Sequence, residues 1–202
     1  MASRVEIWNM ALGNLGQSDE VNDPDEDTNA ANACRRFWDA DLESELQDFK
    51  WSFAVKQLAL AEVEEDPTEE WSFSYTYPSD CAIAKRILSG TRTETLDSEI
   101  AFEIVNDDSG SKIIYTDMED AVLEYIKQED DTTIYPAYFR KAMSYKLAFS
   151  IAPNLISGSP NYSAIRREMF ELYSQFISRA KKNNANEVVR GQPPDSEFTR
   201  NR

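Results

Sequence analysis

Apolar side chains return every three or four residues in four stretches of this chain, and every second residue in much of the segment separating the middle two. The first helical stretch opens on Ser3 and Glu6, an S-x-x-E capping box, and carries Val5, Trp8, Leu12 and Leu15. Gly13 and Gly16 end it near residue 15. The second places Ala30, Ala33, Cys34, Phe37, Trp38, Leu42, Leu46 and Phe49 on one stripe, with Asp39, Glu43 and Asp48 mostly off it. Asp23 is its expected N-cap and Pro24 its first helical residue. Asp25 and Glu26 then lie at the positive end of the helix dipole. After Pro136, the spacing of Phe139, Ala142, Met143, Lys146, Leu147, Phe149 and Ile151 predicts a third helix that stops near Ala152, ahead of Pro153. Ser159-Pro160 starts a fourth, with Ile165, Met169, Leu172, Tyr173, Phe176, Ile177 and Ala180 as its stripe and Arg179, Lys181 and Lys182 in its final turns. From about Asn183 the polar sequence, with Pro193-Pro194, predicts a disordered or partner-ordered tail.

Between the helices the period is two. Residues 51–56, 71–77, 81–88, 99–105 and 112–117 read as strands, and 121–127 as a strand that closes the sheet. Asn106-Asp107-Asp108-Ser109-Gly110 supplies a hairpin turn, with Gly110 free to take a positive φ. The fold class expected is α+β, mainly α. Residues 1–50 and 135–184 form a helical bundle, 51–134 an inserted antiparallel β portion, and 185–202 an extended C-terminal tail.

Charge changes the picture. With 21 Lys+Arg against 37 Asp+Glu the chain carries −16, and the balance is uneven. Residues 1–137 hold 10 basic and 32 acidic side chains, whereas 138–202 hold 11 basic and 5 acidic, so the molecule has two electrostatically different ends or faces. A free nucleic-acid binder would be basic overall. There is no histidine, which removes the commonest general base and the commonest transition-metal ligand together. Cys34 and Cys81, in no CxxC spacing, read as small core hydrophobes of a reducing compartment. No apolar run approaches the ~20 residues of a membrane span.

Candidate chemistry thins out on inspection. Asp23, Asp25 and Asp27 match the first three alternating positions of a calcium loop. Thr28 then stands where the sharp-turn glycine belongs, and Cys34 where the bidentate glutamate belongs, so capping is the better account. Gly-rich phosphate loops are absent, and neither a Ser nor a Cys nucleophile can have a His partner. The runs Glu64-Glu65-Asp66, Glu69-Glu70 and Glu129-Asp130-Asp131 leave a carboxylate-based hydrolase open by residue type alone, but they read as solvated surface. No catalytic residue, cofactor site or metal site is assigned.

Residues 48–54, DFKWSFA, begin a concentration of aromatics comprising Trp51, Phe53, Trp71, Phe73, Tyr75 and Tyr77. A stacking platform for bases would need more cations than Lys50 and Lys56, so packing between sheet and bundle is the expected role.

The order of several stretches resembles one family. IWNMALGNLGQ and an acidic spacer precede AANACRRFWDADLESEL; WSFAVKQLALA and WSFSYTYPSDC follow, then YPAYFRKAMSYKLAFSIAP and a long final helix. Over residues 4–185 this looks like the head-to-tail adaptor of short-tailed bacteriophages, the tail tubular protein A type. Trp51, Phe53 and Ala54 match that family's helix-to-strand junction, and Tyr75, Pro78, Asp80 and Cys81 its second signature. Trp71 joins Trp51, Phe53, Tyr75, Pro78 and Asp80 as an expected helix–sheet junction. The family's usual Leu and Arg after the cysteine are Ala82 and Ile83 here.

The resemblance implies a non-enzymatic virion protein, assembled in the host cytoplasm and placed at the head–tail junction as a dodecameric ring. Its partners would be further copies of itself, the portal protein, the tail nozzle (tail tubular protein B type) and tail fibres. DNA would pass through the channel without sequence-specific binding, and an acidic lumen would repel its phosphates. The extended tail, with Arg190, Phe198, Arg200 and Arg202, is expected to reach onto the portal. A different head-completion, stopper or tail connector protein is the structural alternative.

Overall fold

The structure, a computed structural model, describes residues 3–63, 67, 70–90 and 99–187. It is α+β and mainly α, with four helices and two small antiparallel sheets. The chain divides into two compact units. Among the described residues, one takes 3–56, 80–83 and 126–184; the other takes 57–79, 84–125 and 185–187.

In the first unit, α1 (Arg4–Asn14) is capped by the Ser3 hydroxyl, which accepts from the Glu6 N–H at 3.2 Å as the capping box predicts. It ends in a Schellman motif. Gly16 has φ +71°, its N–H reaches the Gly13 carbonyl at 2.9 Å, and the Gln17 N–H reaches that of Leu12 at 3.0 Å. The fully buried residues of α1 are Ile7, Trp8, Ala11 and Leu12, so its stripe lies to one side of the expected one and Val5 is only half-buried.

Helix α2 (Asn29–Asp48) begins five residues later than the acidic sequence predicts, and its N-cap is Thr28, whose hydroxyl accepts from the Ala31 N–H at 3.2 Å. The reason lies in the acids themselves. Asp23 accepts from the Asp25 N–H at 2.8 Å, and the Glu26 carboxylate accepts from the N–H groups of Asn22 and Asp23 and from the Thr28 hydroxyl. These bonds stabilise a turn that competes with helix. They also hold the Glu26 carboxyl below its ordinary pKa, the Asn22 N–H first among the causes. The predicted stripe of α2 is buried at Ala30, Ala33, Cys34, Trp38, Leu42 and Leu46; Glu45 lies among them.

Helix α3 (Ala137–Leu155) packs against α1 and α2. It does not stop at Ala152 but passes through Pro153 into one further turn. Pro153 forgoes one backbone bond there, and the burial of Ile151, Ala152 and Ile156 holds that turn in place. Helix α4 (Tyr162–Glu187) starts just beyond a turn in which the Tyr162 N–H bonds the Ser159 carbonyl at 3.1 Å. Residues 185–187, expected to begin the extended tail, continue this helix. The remaining tail positions, including Arg190, Phe198, Arg200 and Arg202, lie outside the described residues.

The strands are β1 (Val55–Ala59), β2 (Phe73–Thr76), β3 (Cys81–Ile87), β4 (Phe102–Asn106), β5 (Lys112–Thr116) and β6 (Val122–Lys127). They form one sheet in the order β1–β6–β3 and another in the order β2–β5–β4. In the second sheet β5 is central, with Tyr75 and Ile104 both opposite Ile114. The β4–β5 hairpin closes at the predicted turn. Gly110 has φ +84°, and Asp107 Oδ1 accepts from the Ser111 N–H at 2.7 Å. Residues 51–54 do not start a strand: Ser52–Ala54 form a single 3-10 turn before β1.

Candidate functional site

The predicted junction residues separate. Trp51, Phe53 and Asp80 belong to the helical unit, and Trp71, Tyr75 and Pro78 belong to the other. Trp51 is fully buried, and its indole N–H donates to the Glu45 carbonyl at 2.7 Å. Its ring meets Phe49, Phe53 and Phe139 at centroid distances of 4.9, 5.8 and 4.8 Å, and Phe53 continues the cluster to Tyr135 at 5.3 Å. Edge-to-face packing of this kind adds to the area that such rings bury. Asp80 accepts from Lys56 Nζ at 2.7 Å, a partly exposed pair. In the second unit the Tyr75 hydroxyl donates to the Met118 carbonyl at 3.0 Å, Trp71 Nε1 donates to Glu103 Oε2 at 3.2 Å, and Pro78 is buried. These contacts order the chain and leave each aromatic occupied.

A residue that sequence reasoning missed fixes this stretch. Asn184, buried in the last turn of α4, accepts from both the N–H and the hydroxyl of Ser52 and donates to the Lys50 carbonyl. Only its spacing from Ile177 and Ala180, continuing their stripe, could have revealed it.

The helical unit also holds a polar knot. Asp41 and Glu45, one turn apart on α2, face Lys146 and Ser150, one turn apart on α3, with Tyr173 entering from α4. Lys146 Nζ donates to Glu45 Oε1 at 2.6 Å and to the Ser44 hydroxyl at 2.5 Å; the Tyr173 hydroxyl donates to the same Glu45 oxygen. Ser150 donates to Asp41 Oδ1 at 3.2 Å. Glu45 Oε2 and Asp41 Oδ2 are buried without a hydrogen-bond partner. One ammonium thus serves two carboxylates. Burial raises the Asp41 pKa to about 6, with the Glu45 charge adding to the rise and Ser150 and Lys146 opposing it. Burial and the hydrogen bond to Glu45 also push the Tyr173 phenol up. Such a knot registers three helices against one another. Its sequence signal was an acid inside the apolar stripe of one helix and a lysine inside that of another.

In the second unit, Glu124 on β6 is bracketed across the sheet. It accepts from Arg86 Nε of β3 at 2.9 Å and from Gln57 Nε2 of β1 at 3.1 Å. Glu124 is 4 % exposed, so this ladder pairs a buried charge rather than presenting one.

The outer face of the helical unit is different in kind. Along α3 and α4, Tyr138, Tyr145 and Phe149 alternate with Tyr162, Phe170 and Phe176, and cations lie on the rings. Arg166 is 4.2 Å from the centroid of Phe149, and Lys141 and Arg179 are 5.4 and 5.7 Å from that of Phe176. Helix α4 buries only Met169, Ile177, Ala180 and Asn184. Phe149, Tyr162, Ser163, Arg166, Arg167 and Phe170 line an open groove of about 380 Å³.

Among the described residues no group of three or more His, Cys, Asp or Glu side chains is placed to hold a metal ion, and no helix is long and apolar enough to cross a membrane. Cys34 is buried, and burial pushes its thiol pKa up to about 12, away from nucleophilic use. Neither the family models nor the curated proteins compared with the chain match it.

Proposed function

We propose that the chain is a structural subunit of a phage particle, a head-to-tail adaptor that assembles as a ring between portal and tail nozzle and lets DNA pass. The observation that carries this reading is the order of the signatures that resemble the family, from IWNMALGNLGQ through WSFAVKQ and YPSDC to YPAYFRKAMSYK. The structure supports it by what those signatures do. WSFA sits where α2 hands over to β1, clamped by Asn184 and packed on Phe139 from the YPAYFRKAMSYK stretch. They therefore set the geometry of a building block. The polarity of the helical unit fits the same role. Residues 3–49 carry 12 acidic and 3 basic side chains, and residues 137–187 carry 8 basic and 3 acidic.

In this reading the segment 188–202 contributes Arg190, Phe198, Arg200 and Arg202 to the portal contact. Removing it leaves the melting temperature unchanged and weakens binding to the portal ring of the same particle by at least tenfold in a pull-down titration. Unchanged binding would refute that assignment.

A further inference from the structure

The groove between α3 and α4 is incomplete in a way that specifies what it takes. Arg166 lies over Phe149 with its Nε buried and without a hydrogen-bond partner, a donor waiting for an acceptor. Beside it the Arg167 side chain is 82 % exposed, with Glu171 only a loose neighbour at 3.7 Å. The exposed Ser163 adds a hydroxyl, and Phe170, 52 % exposed, gives an apolar wall opposite Tyr162. Two guanidiniums and a hydroxyl among aromatic rings match carboxylates carried next to a small apolar group.

The chain bears such a surface. In the loop 19–27, Asp19, Glu20, Asp23, Asp25 and Asp27 are exposed around a half-buried Pro24. This loop is held before any partner arrives. Asn9 bonds Val21 twice, at 2.8 and 2.9 Å, and Val21 is buried. Arg35 spends its guanidinium on the carbonyls of Pro24 and Glu26 and on Asn32 rather than on the exposed acids. A preformed loop loses little freedom on docking.

We infer that the groove lined by Arg166 and Arg167 receives the acidic loop 19–27 of a second copy of this chain. The inference rests on the reading of the chain as a self-assembling subunit, and it names the faces. Because loop and groove are different patches of one molecule, the contact is head-to-tail. Such contacts close into a ring when the rotation between neighbours permits. The complementarity is electrostatic, so association weakens as salt screens it.

Sedimentation velocity of the full chain over a concentration series tests it, with two charge reversals whose folding is checked by circular dichroism. Wild type associates, less so at high salt. Arg166→Glu with Arg167→Glu lowers the association constant at least tenfold, and so does Asp19→Lys with Glu20→Lys and Asp25→Lys. An equimolar mixture of the two variants regains association, because every loop then faces a groove of opposite charge. If the first variant fails to fold, the single Arg167→Glu change on an exposed side chain carries the same expectation. Wild type that stays monomeric, variants that associate as wild type does, or a mixture that does not recover overturns the docking. A ring seen on the portal and indifferent to both reversals would overturn this contact alone; no ring on the portal would remove the adaptor reading instead.

Discussion

Asn184 grips Ser52 with one oxygen, which accepts from the serine N–H and from its hydroxyl at 2.8 Å each. Its amide nitrogen donates to the Lys50 carbonyl at 3.0 Å. Residues 132 positions apart thereby lock the point where α2 ends and the strands begin. Asn184→Ala removes these three hydrogen bonds and should cost about 1–3 kcal/mol. Urea denaturation measures it, and a change within error would show that the clamp contributes nothing. Truncation after Glu187 should be neutral, whereas truncation after Asn183 should reproduce the alanine effect.

Trp51 is the centre of the ring cluster at the same point. Trp51→Ala removes a fully buried indole and its bond to the Glu45 carbonyl, an expected loss of about 3–5 kcal/mol. Under the adaptor reading, ring assembly should fail along with it. A stable, fully assembling variant would return this stretch to consideration as a ligand pocket.

The knot around Glu45 gives a graded series. Lys146→Met strips the ammonium from the buried Glu45 carboxylate and should destabilise by about 3–5 kcal/mol. Tyr173→Phe removes one hydrogen bond and should cost about 1 kcal/mol. A double-mutant cycle between the two should be non-additive, since both act on the same Glu45 oxygen. Additive losses would mean that they act independently.

Asp41 makes stability depend on pH. Its folded pKa, about 6, lies above the unfolded value near 3.8, so its protonated form is the one the fold prefers. Its contribution is therefore fully present below the unfolded value and is lost as pH rises through about 6. Asp41→Asn should be relatively more stabilising at pH 7 than at pH 4, by urea denaturation at both. Glu26, Asp107 and Asp131, with lowered pKa values, act in the opposite sense, and the difference between wild type and variant cancels them.

Much of the fold was legible because burial writes its period into sequence. The α2 stripe and the β4–β5 turn at Gly110 lie where spacing and turn chemistry place them, whereas the strand at 122–127 is buried without alternation and lies at the centre of its sheet rather than closing it. The failures share a cause: short-range patterns were overruled by specific partners. Asp23 and Pro24 have the chemistry of a helix start, but the Glu26 carboxylate takes the N–H groups of Asn22 and Asp23 into a turn. Pro153 reads as a stop, and burial of its neighbours carried the helix past it. The aromatic run from Trp51 to Tyr77 looked like one cluster, yet nothing local in sequence tells which unit each ring joins. Glu45, Lys146 and Asn184 show in sequence only as polar residues on apolar stripes, since each has its partner more than 100 positions away.

The measurement that bears most directly on the adaptor reading is electron microscopy of the purified chain mixed with the portal ring of its own particle. An added ring is expected on the tail-facing end of the portal, its subunits meeting through the helical unit. Portal rings that remain bare at saturating chain would contradict it.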